Sequence, residues 1–158
     1  MAHNPPSRPE TLSSEHQFAI VASQYNPAFV HGLVDNARNE LAAIAPGSTV
    51  SVWKVPGAFE IPLIVQELAL SAKFSAIIAL GVIIEGATQH AALIGATLTD
   101  SLQRLSLAHG LPIVHEVLLV KNEAQAQARC LESTLNRGIE AARVAVQMVQ
   151  VMSTLPGH

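Results

Sequence analysis

The residues equipped for chemistry lie in four short segments, each at or after an apolar run. Tyr25, the only tyrosine in the chain, sits in Ser23-Gln24-Tyr25-Asn26-Pro27, directly after Phe18-Ala19-Ile20-Val21-Ala22. Its ring either packs to steady the turn or offers a stacking platform to a flat heterocycle. The second segment, Val55-Pro56-Gly57-Ala58-Phe59-Glu60-Ile61-Pro62, puts a glycine, which lets the backbone approach a ligand, ahead of a carboxylate at a helix start. Glu60 either complements the helix dipole, worth ~0.3–1 kcal/mol, or accepts hydrogen bonds from ligand hydroxyls, while the amides of Ala58 and Phe59 can read a ring edge. The third segment runs Leu80-Gly81-Val82-Ile83-Ile84-Glu85-Gly86-Ala87-Thr88-Gln89-His90. Gly86-Ala87-Thr88 at a helix start makes an anion site, because unpaired amides and the positive dipole end point the same way. His90 either is an ordinary exposed helix histidine or passes protons near neutral pH. The fourth holds His115-Glu116 in an apolar strand, and Arg129 follows in a short helix. An isolated strand histidine is more often a satisfied core or interface residue, and Arg129 equally suits a surface ion pair. Walker loop, dinucleotide fingerprint, zinc-spaced histidines and nucleophile elbow are all missing from the sequence, which sets aside classical nucleophilic and metal hydrolysis.

These segments need a frame that brings them together. Phe18–Ala22 suits a strand covered on both faces. Asn26-Pro27 then matches a helix cap with proline at the first position, and Val30, Val34, Ala37, Leu41 and Ile44 recur at helical steps until Pro46-Gly47. Val50 to Val55 alternates as a strand, Glu60 opens a helix through Leu70, and Ala76 to Ile84 forms the most apolar strand. A third helix is predicted over about Gln89 to His109, closed by Gly110-Leu111-Pro112, followed by a strand over Ile113 to Val120. The last region predicts a helix over Glu123 to Glu132, a break near Asn136-Arg137-Gly138, and a helix over Ile139 to Met152 with Ala142, Val146 and Val149 on its apolar stripe. Alternating strands and helices indicate an α/β fold: a flavodoxin-like three-layer α/β/α sandwich on a four-stranded parallel sheet. In such sheets ligands bind outside the carboxyl ends of the strands, where the four segments fall.

At 158 residues the chain is long enough for one domain, expected over residues 17–158 behind a flexible N-terminal arm, residues 1–16. The arm has three prolines before Glu15 and no apolar centre of a secretory signal. Charged residues make up only 13% against 49% hydrophobic, where about 25% charged is typical, so a homo-oligomer is expected. A net charge of −3 supplies neither the basic stripe for nucleic acid nor the polybasic cluster for anionic lipid. The single cysteine, Cys130, excludes an internal disulfide and a multi-thiolate metal site and suits a reducing, cytoplasmic setting.

Taken together, Ser23-Gln24-Tyr25-Asn26, Val55 to Pro62, Leu80 to Ile84 with Gly86-Ala87-Thr88-Gln89-His90, and Asn136-Arg137-Gly138 resemble the 6,7-dimethyl-8-ribityllumazine synthase family of riboflavin biosynthesis. The resemblance covers about Phe18 to Met152. It implies condensation of 5-amino-6-(D-ribitylamino)uracil with 3,4-dihydroxy-2-butanone 4-phosphate, with no metal or organic cofactor. Position by position it implies that Tyr25 stacks on the pyrimidine, that Ala58, Phe59 and Glu60 hold its ring edge and ribityl chain, and that Val82, Ile83 and Ile84 line the ring pocket. Ala87 and Thr88 would hold the phosphate and His90 would donate protons. His115 and Arg129 would reach in from an adjacent subunit, Arg129 toward the phosphate. The resemblance further implies an assembly built on pentamers and riboflavin synthase as a partner. This chain departs from the usual pattern at Glu85, where arginine is frequent, and at His115, where an aromatic is frequent. It also lacks the usual glycine-rich, lysine-bearing stretch between Arg129 and Asn136. A non-catalytic flavin- or lumazine-binding protein on the same scaffold is the alternative, disfavoured by His90, Thr88 and Arg129 together.

Overall fold

Unbroken apolar runs become the sheet, and runs with three- and four-residue periodicity become its covers. In a computed structural model, which describes residues 6–86 and 89–157, the strands are β1 (Gln17–Ser23), β2 (Thr49–Val55), β3 (Ala76–Ile84) and β4 (Ile113–Val120). All pair in parallel in the order β2-β1-β3-β4, with Phe18 opposite both Val50 and Ala76 and His115 opposite Ala79. The central strands β1 and β3 are buried on both faces, which is why their sequences show no alternation. Helices α1 (Pro27–Ile44), α4 (Glu123–Cys130) and α5 (Arg137–Ser153) share one apolar cluster with the sheet, containing Ile20, Ile78, Leu33 and Val146. Helices α2 (Ile61–Leu70) and α3 (His90–His109) share the other, containing Val21, Ile77, Val65 and Leu102. The predicted three-layer α/β/α sandwich is therefore the fold. Because β1 is followed by β2 on one side and flanked by β3 on the other, the chain reverses direction between β1 and β3, where ligands enter such sheets.

Three local expectations are revised. Asn26 does stand at the cap position of α1, but its side chain makes no capping bond. Its backbone is left-handed, with φ 56°, a conformation asparagine tolerates better than most residues. The side-chain Nδ2 is thereby turned to donate to Val82 O at 2.8 Å, tying the turn after β1 to β3. Second, Glu60 closes a 3₁₀ turn, Ala58–Glu60, and α2 begins at Ile61. Third, α4 ends at Cys130 rather than at Glu132. The reason is Asn136, which is almost fully buried. Its Nδ2 donates to Cys130 O at 3.0 Å and Glu132 O at 3.1 Å, while its Oδ1 accepts from the N–H groups of Gly138 and Ile139. One amide thus satisfies the end of one helix and the start of the next.

Helix α1 meets this junction backbone to backbone. A Cβ on Gly138 would lie 2.3 Å from Leu33 O, and one on Gly32 would lie 2.7 Å from Cys130 O. Only glycine permits that approach. Residues 6–15, expected as a flexible arm, lie along α1 and α5 in this structure. Glu40, buried on α1, accepts from Arg8 at 2.7 and 2.9 Å and from Arg143 of α5 at 2.8 Å. Arg143 Nη1 also donates to Pro6 O at 2.8 Å, and Leu12 N–H donates to Ile44 O at 2.9 Å. Among the described residues no helix is long and apolar enough to cross a membrane.

Candidate active site

A cleft of about 500 Å³ opens at the carboxyl ends of β1, β2 and β3. It is lined by Tyr25, Ala58, Phe59, Glu60, Val82, Ile83, Ile84 and His90, so eight of the predicted site residues converge there. Each arrives for a local reason. Tyr25 stands in the turn after β1, ahead of the left-handed Asn26, and is 71% exposed. The 3₁₀ turn folds the Glu60 carboxylate back so that Oε2 accepts the Gly57 N–H at 2.9 Å. Gly57 itself sits under the Tyr25 ring, since a Cβ there would come within 3.2 Å of Tyr25 Cε2 and 2.9 Å of Glu60 Oε2. Its φ is −137°, ordinary extended backbone, so space and not backbone freedom requires the glycine. His90 is the exposed first residue of α3 and stands over the open ends of the strands.

The cleft therefore presents an aromatic face, apolar β3 walls, a carboxylate for hydroxyls and an imidazole for protons. Those are the requirements for holding a flat polar heterocycle beside a group that must gain and lose protons. A slightly larger groove, about 580 Å³, runs between α1 and β2 and is lined by Asp35, Arg38 and Lys54 among others. It contains none of the predicted site residues.

The comparison with known proteins agrees with this geometry. The sequence model of one family, described as 6,7-dimethyl-8-ribityllumazine synthase, matches residues 15–153. The chain belongs to this family. A synthase of that name from Paraburkholderia phytofirmans is 39% identical over 140 residues, 88% of this chain and 81% of the relative. One from Xanthomonas euvesicatoria is 38% identical, covering 89% and 92%, and one from Syntrophus aciditrophicus is 36% identical, covering 86% and 89%. These relatives match nearly full length, so the cleft of this lumazine synthase family member belongs to the shared part of the chain.

Ala87 and Thr88 lie outside the described residues. His115 and Arg129 do not line the cleft. His115 projects from β4, the edge strand, into a separate groove of about 550 Å³ against α3. Arg129 is half-buried on α4, on the opposite face of the sheet from α2 and α3, and among the described residues its Nη1 donates to Gln125 O of its own helix. It joins no ion pair among the described residues, so the surface-pair reading finds no partner. Burial holds His115 below the ordinary imidazole range. Burial also pushes Glu116 up to about 7, reinforced by Glu140 and opposed by Arg137. Cys130 is a buried thiol pushed up by burial to about 12, with Arg129 opposing, which makes it inert at neutral pH. The cleft lining also includes Ser23, Asn26, Pro56, Gly57 and Ile94, which were not among the predicted site residues. Ile94 follows His90 by one helical turn, and that spacing was the available signal.

Proposed function

We propose that this chain condenses 5-amino-6-(D-ribitylamino)uracil with 3,4-dihydroxy-2-butanone 4-phosphate to 6,7-dimethyl-8-ribityllumazine, releasing phosphate and water, as the penultimate, transferase step of riboflavin biosynthesis. The observation that carries this reading is the convergence of Tyr25, Glu60 and His90 on one cleft within a chain of this family. The Tyr25 ring stacks on the pyrimidine, the turn Ala58–Glu60 meets its polar edge and ribityl hydroxyls, and Val82–Ile84 close the apolar side. Ala87 and Thr88, which precede α3 in the sequence, receive the phosphate.

Chemistry then needs little beyond positioning and proton movement. A pyrimidine amine attacks the ketone, and the carbinolamine loses water to an imine. Phosphate leaves, the enol tautomerises, and the second amine closes the ring with loss of water. Holding both reactants together supplies much of the rate, and His90 carries protons between successive intermediates. A cation from Arg129 stabilises the departing phosphate.

Arg129 and His115 complete the site only from a neighbouring subunit, so the functional unit is a closed ring, a pentamer or an assembly of pentamers. The exposed apolar side chains of α2 and α3 support this: Leu63, Leu93 and Leu107 are 62%, 65% and 74% exposed in the single chain. We assign the enzyme to the cytoplasm and riboflavin synthase as the next enzyme to take its product. The direct test is incubation of the purified protein with both substrates while following lumazine fluorescence and phosphate release together. Pyrimidine binding without product would replace this reading by that of a non-catalytic binding protein.

A further inference from the structure

On the α3 side of β4, three hydrogen bonds around His115 leave each proton only one place. The Val117 N–H donates to Nδ1 at 3.1 Å, so Nδ1 carries no proton. A neutral imidazole then holds its proton on Nε2, which lies 2.8 Å from Thr99 Oγ1. The Thr99 hydroxyl donates to Gly95 O, one turn earlier on α3, at 2.7 Å. That bond turns an oxygen lone pair toward the ring, ready to accept the Nε2 proton.

The arrangement resists a charge on the ring. A proton on Nδ1 would face the Val117 N–H directly, and the half-buried ring already disfavours its cation. The other titratable group lining the groove is Asp100 of α3, engaged by Arg104 at 2.7 Å. Gly95, Thr99 and Gln103 of α3 are neutral, as is Ala79, the partner of His115 on β3. With both nitrogens occupied, the ring offers its flat carbon face and no free donor or acceptor.

We propose that Thr99 is a positioning residue that locks His115 as the neutral Nε2–H tautomer and so makes it an uncharged planar wall for the pyrimidine in the adjoining subunit's cleft. The proposal rests on the reading above that His115 reaches that cleft. It explains how a histidine serves where a plain aromatic ring is frequent: the lock removes the imidazole's charge and its hydrogen-bonding capacity. The group it accommodates is the face or apolar edge of a flat heterocycle, and it gives no hold on phosphate.

Two measurements on the intact assembly test this. Nitrogen spectra of sedimented, ¹⁵N-histidine-labelled protein, with His115→Phe identifying the signal, report the tautomer, and steady-state kinetics at pH 6 and pH 8 report each KM. Wild type shows one protonated and one bare nitrogen at both pH values. Thr99→Val removes the acceptor that holds the Nε2 proton, so the ring turns out of the groove and off the Val117 N–H, and its nitrogen pattern changes, with more of the doubly protonated form at pH 6 than at pH 8. The same variant raises the pyrimidine KM about three- to tenfold, more at pH 6 than at pH 8, with the butanone phosphate KM unmoved. Thr99→Ser restores both readouts, and Thr99→Val adds nothing in a His115→Phe background. An unchanged nitrogen pattern in Thr99→Val overturns the lock. A changed pattern with an unchanged pyrimidine KM, in both Thr99→Val and His115→Ala, overturns instead the placement of His115 in the neighbour's site, and the wall with it.

Discussion

Replacing Gly57 by alanine probes the site while leaving the fold nearly untouched. The backbone at Gly57 is extended, so alanine adds no conformational strain. Its methyl group would instead stand 2.9 Å from Glu60 Oε2 and 3.2 Å from Tyr25 Cε2. Both neighbours are exposed side chains with room to turn away. Turning costs the bond from Gly57 N–H to the Glu60 carboxylate, a charge-assisted contact worth about 1.5–3 kcal/mol when intact. Exposure of Glu60 screens that value toward about 1 kcal/mol or less in folding stability. Binding is affected more, because the carboxylate and the stacking ring leave their places together. We expect the pyrimidine KM to rise about tenfold, equivalent to ~1.4 kcal/mol, with the butanone phosphate KM within about twofold of wild type. The assay is lumazine fluorescence with each substrate varied in turn, beside thermal melts of both proteins. A Gly57→Ala enzyme with wild-type pyrimidine KM and an unchanged melting temperature would show that Glu60 and Tyr25 do not hold the pyrimidine.

Removing the imidazole in His90→Ala should lower kcat about 10²–10⁴-fold while pyrimidine binding, followed by calorimetry, survives; wild-type turnover at saturation would exclude His90 from proton transfer. Arg129→Ala should raise the butanone phosphate KM much more than the pyrimidine KM, and equal losses for both substrates would refute its assignment to phosphate. Co-expressed His90→Ala and Arg129→Ala chains should recover activity in mixed rings, with about one quarter of interfaces intact on random assembly; verified mixing without recovery would place all these residues in one subunit. Glu40→Gln should cost about 1–3 kcal/mol at neutral pH, less than a fully buried pair because Arg8 is largely exposed. Arg8, then Arg143, hold the folded Glu40 carboxyl below its ordinary range against the opposing effect of burial. Its contribution is therefore complete above the unfolded value and lost as pH falls through the folded one. Denaturant melts from pH 7 down to pH 3.5 should show the gap to Glu40→Gln closing only in acid, and a gap independent of pH would refute the ion triad.

Strand positions were legible because burial on both faces writes itself as an unbroken apolar run, as in Ala76 to Ile84, whose predicted and observed limits coincide. The carboxyl-end segments followed from parallel topology, so Tyr25, Glu60 and His90 could be placed at one end of the sheet before their contacts were known. What a lone side chain does there was less legible. Asn26 carries the cap signature, yet its amide reaches Val82 O, because a left-handed turn redirects it and sequence does not display that angle. The end of α4 at Cys130 depends on the buried amide of Asn136, six residues later. The reading of His115 as a satisfied residue named no partner, since Thr99 lies on another element and only the fold brings them together. Nothing in the sequence singles out Glu40, and only the crossing of Arg8 and Arg143 over it reveals the triad.

The close contact of α1 with the α4–α5 junction, at Gly32 and Gly138, bears on how many subunits can close a ring. In a head-to-tail assembly the copy number follows from the angle between the face that donates residues and the face that receives them. In the ring proposed above, the donated Arg129 would be carried by α4, and the receiving cleft is built on the turn that opens α1. Close packing between them, on Leu33 O at Gly138 and on Cys130 O and the Leu131 side chain at Gly32, leaves little room to absorb a tilt. In the proposed ring, angular error in one subunit would be repeated at every joint around the circle, so a small added methyl group at Gly138 would be a defect in closure as well as in packing.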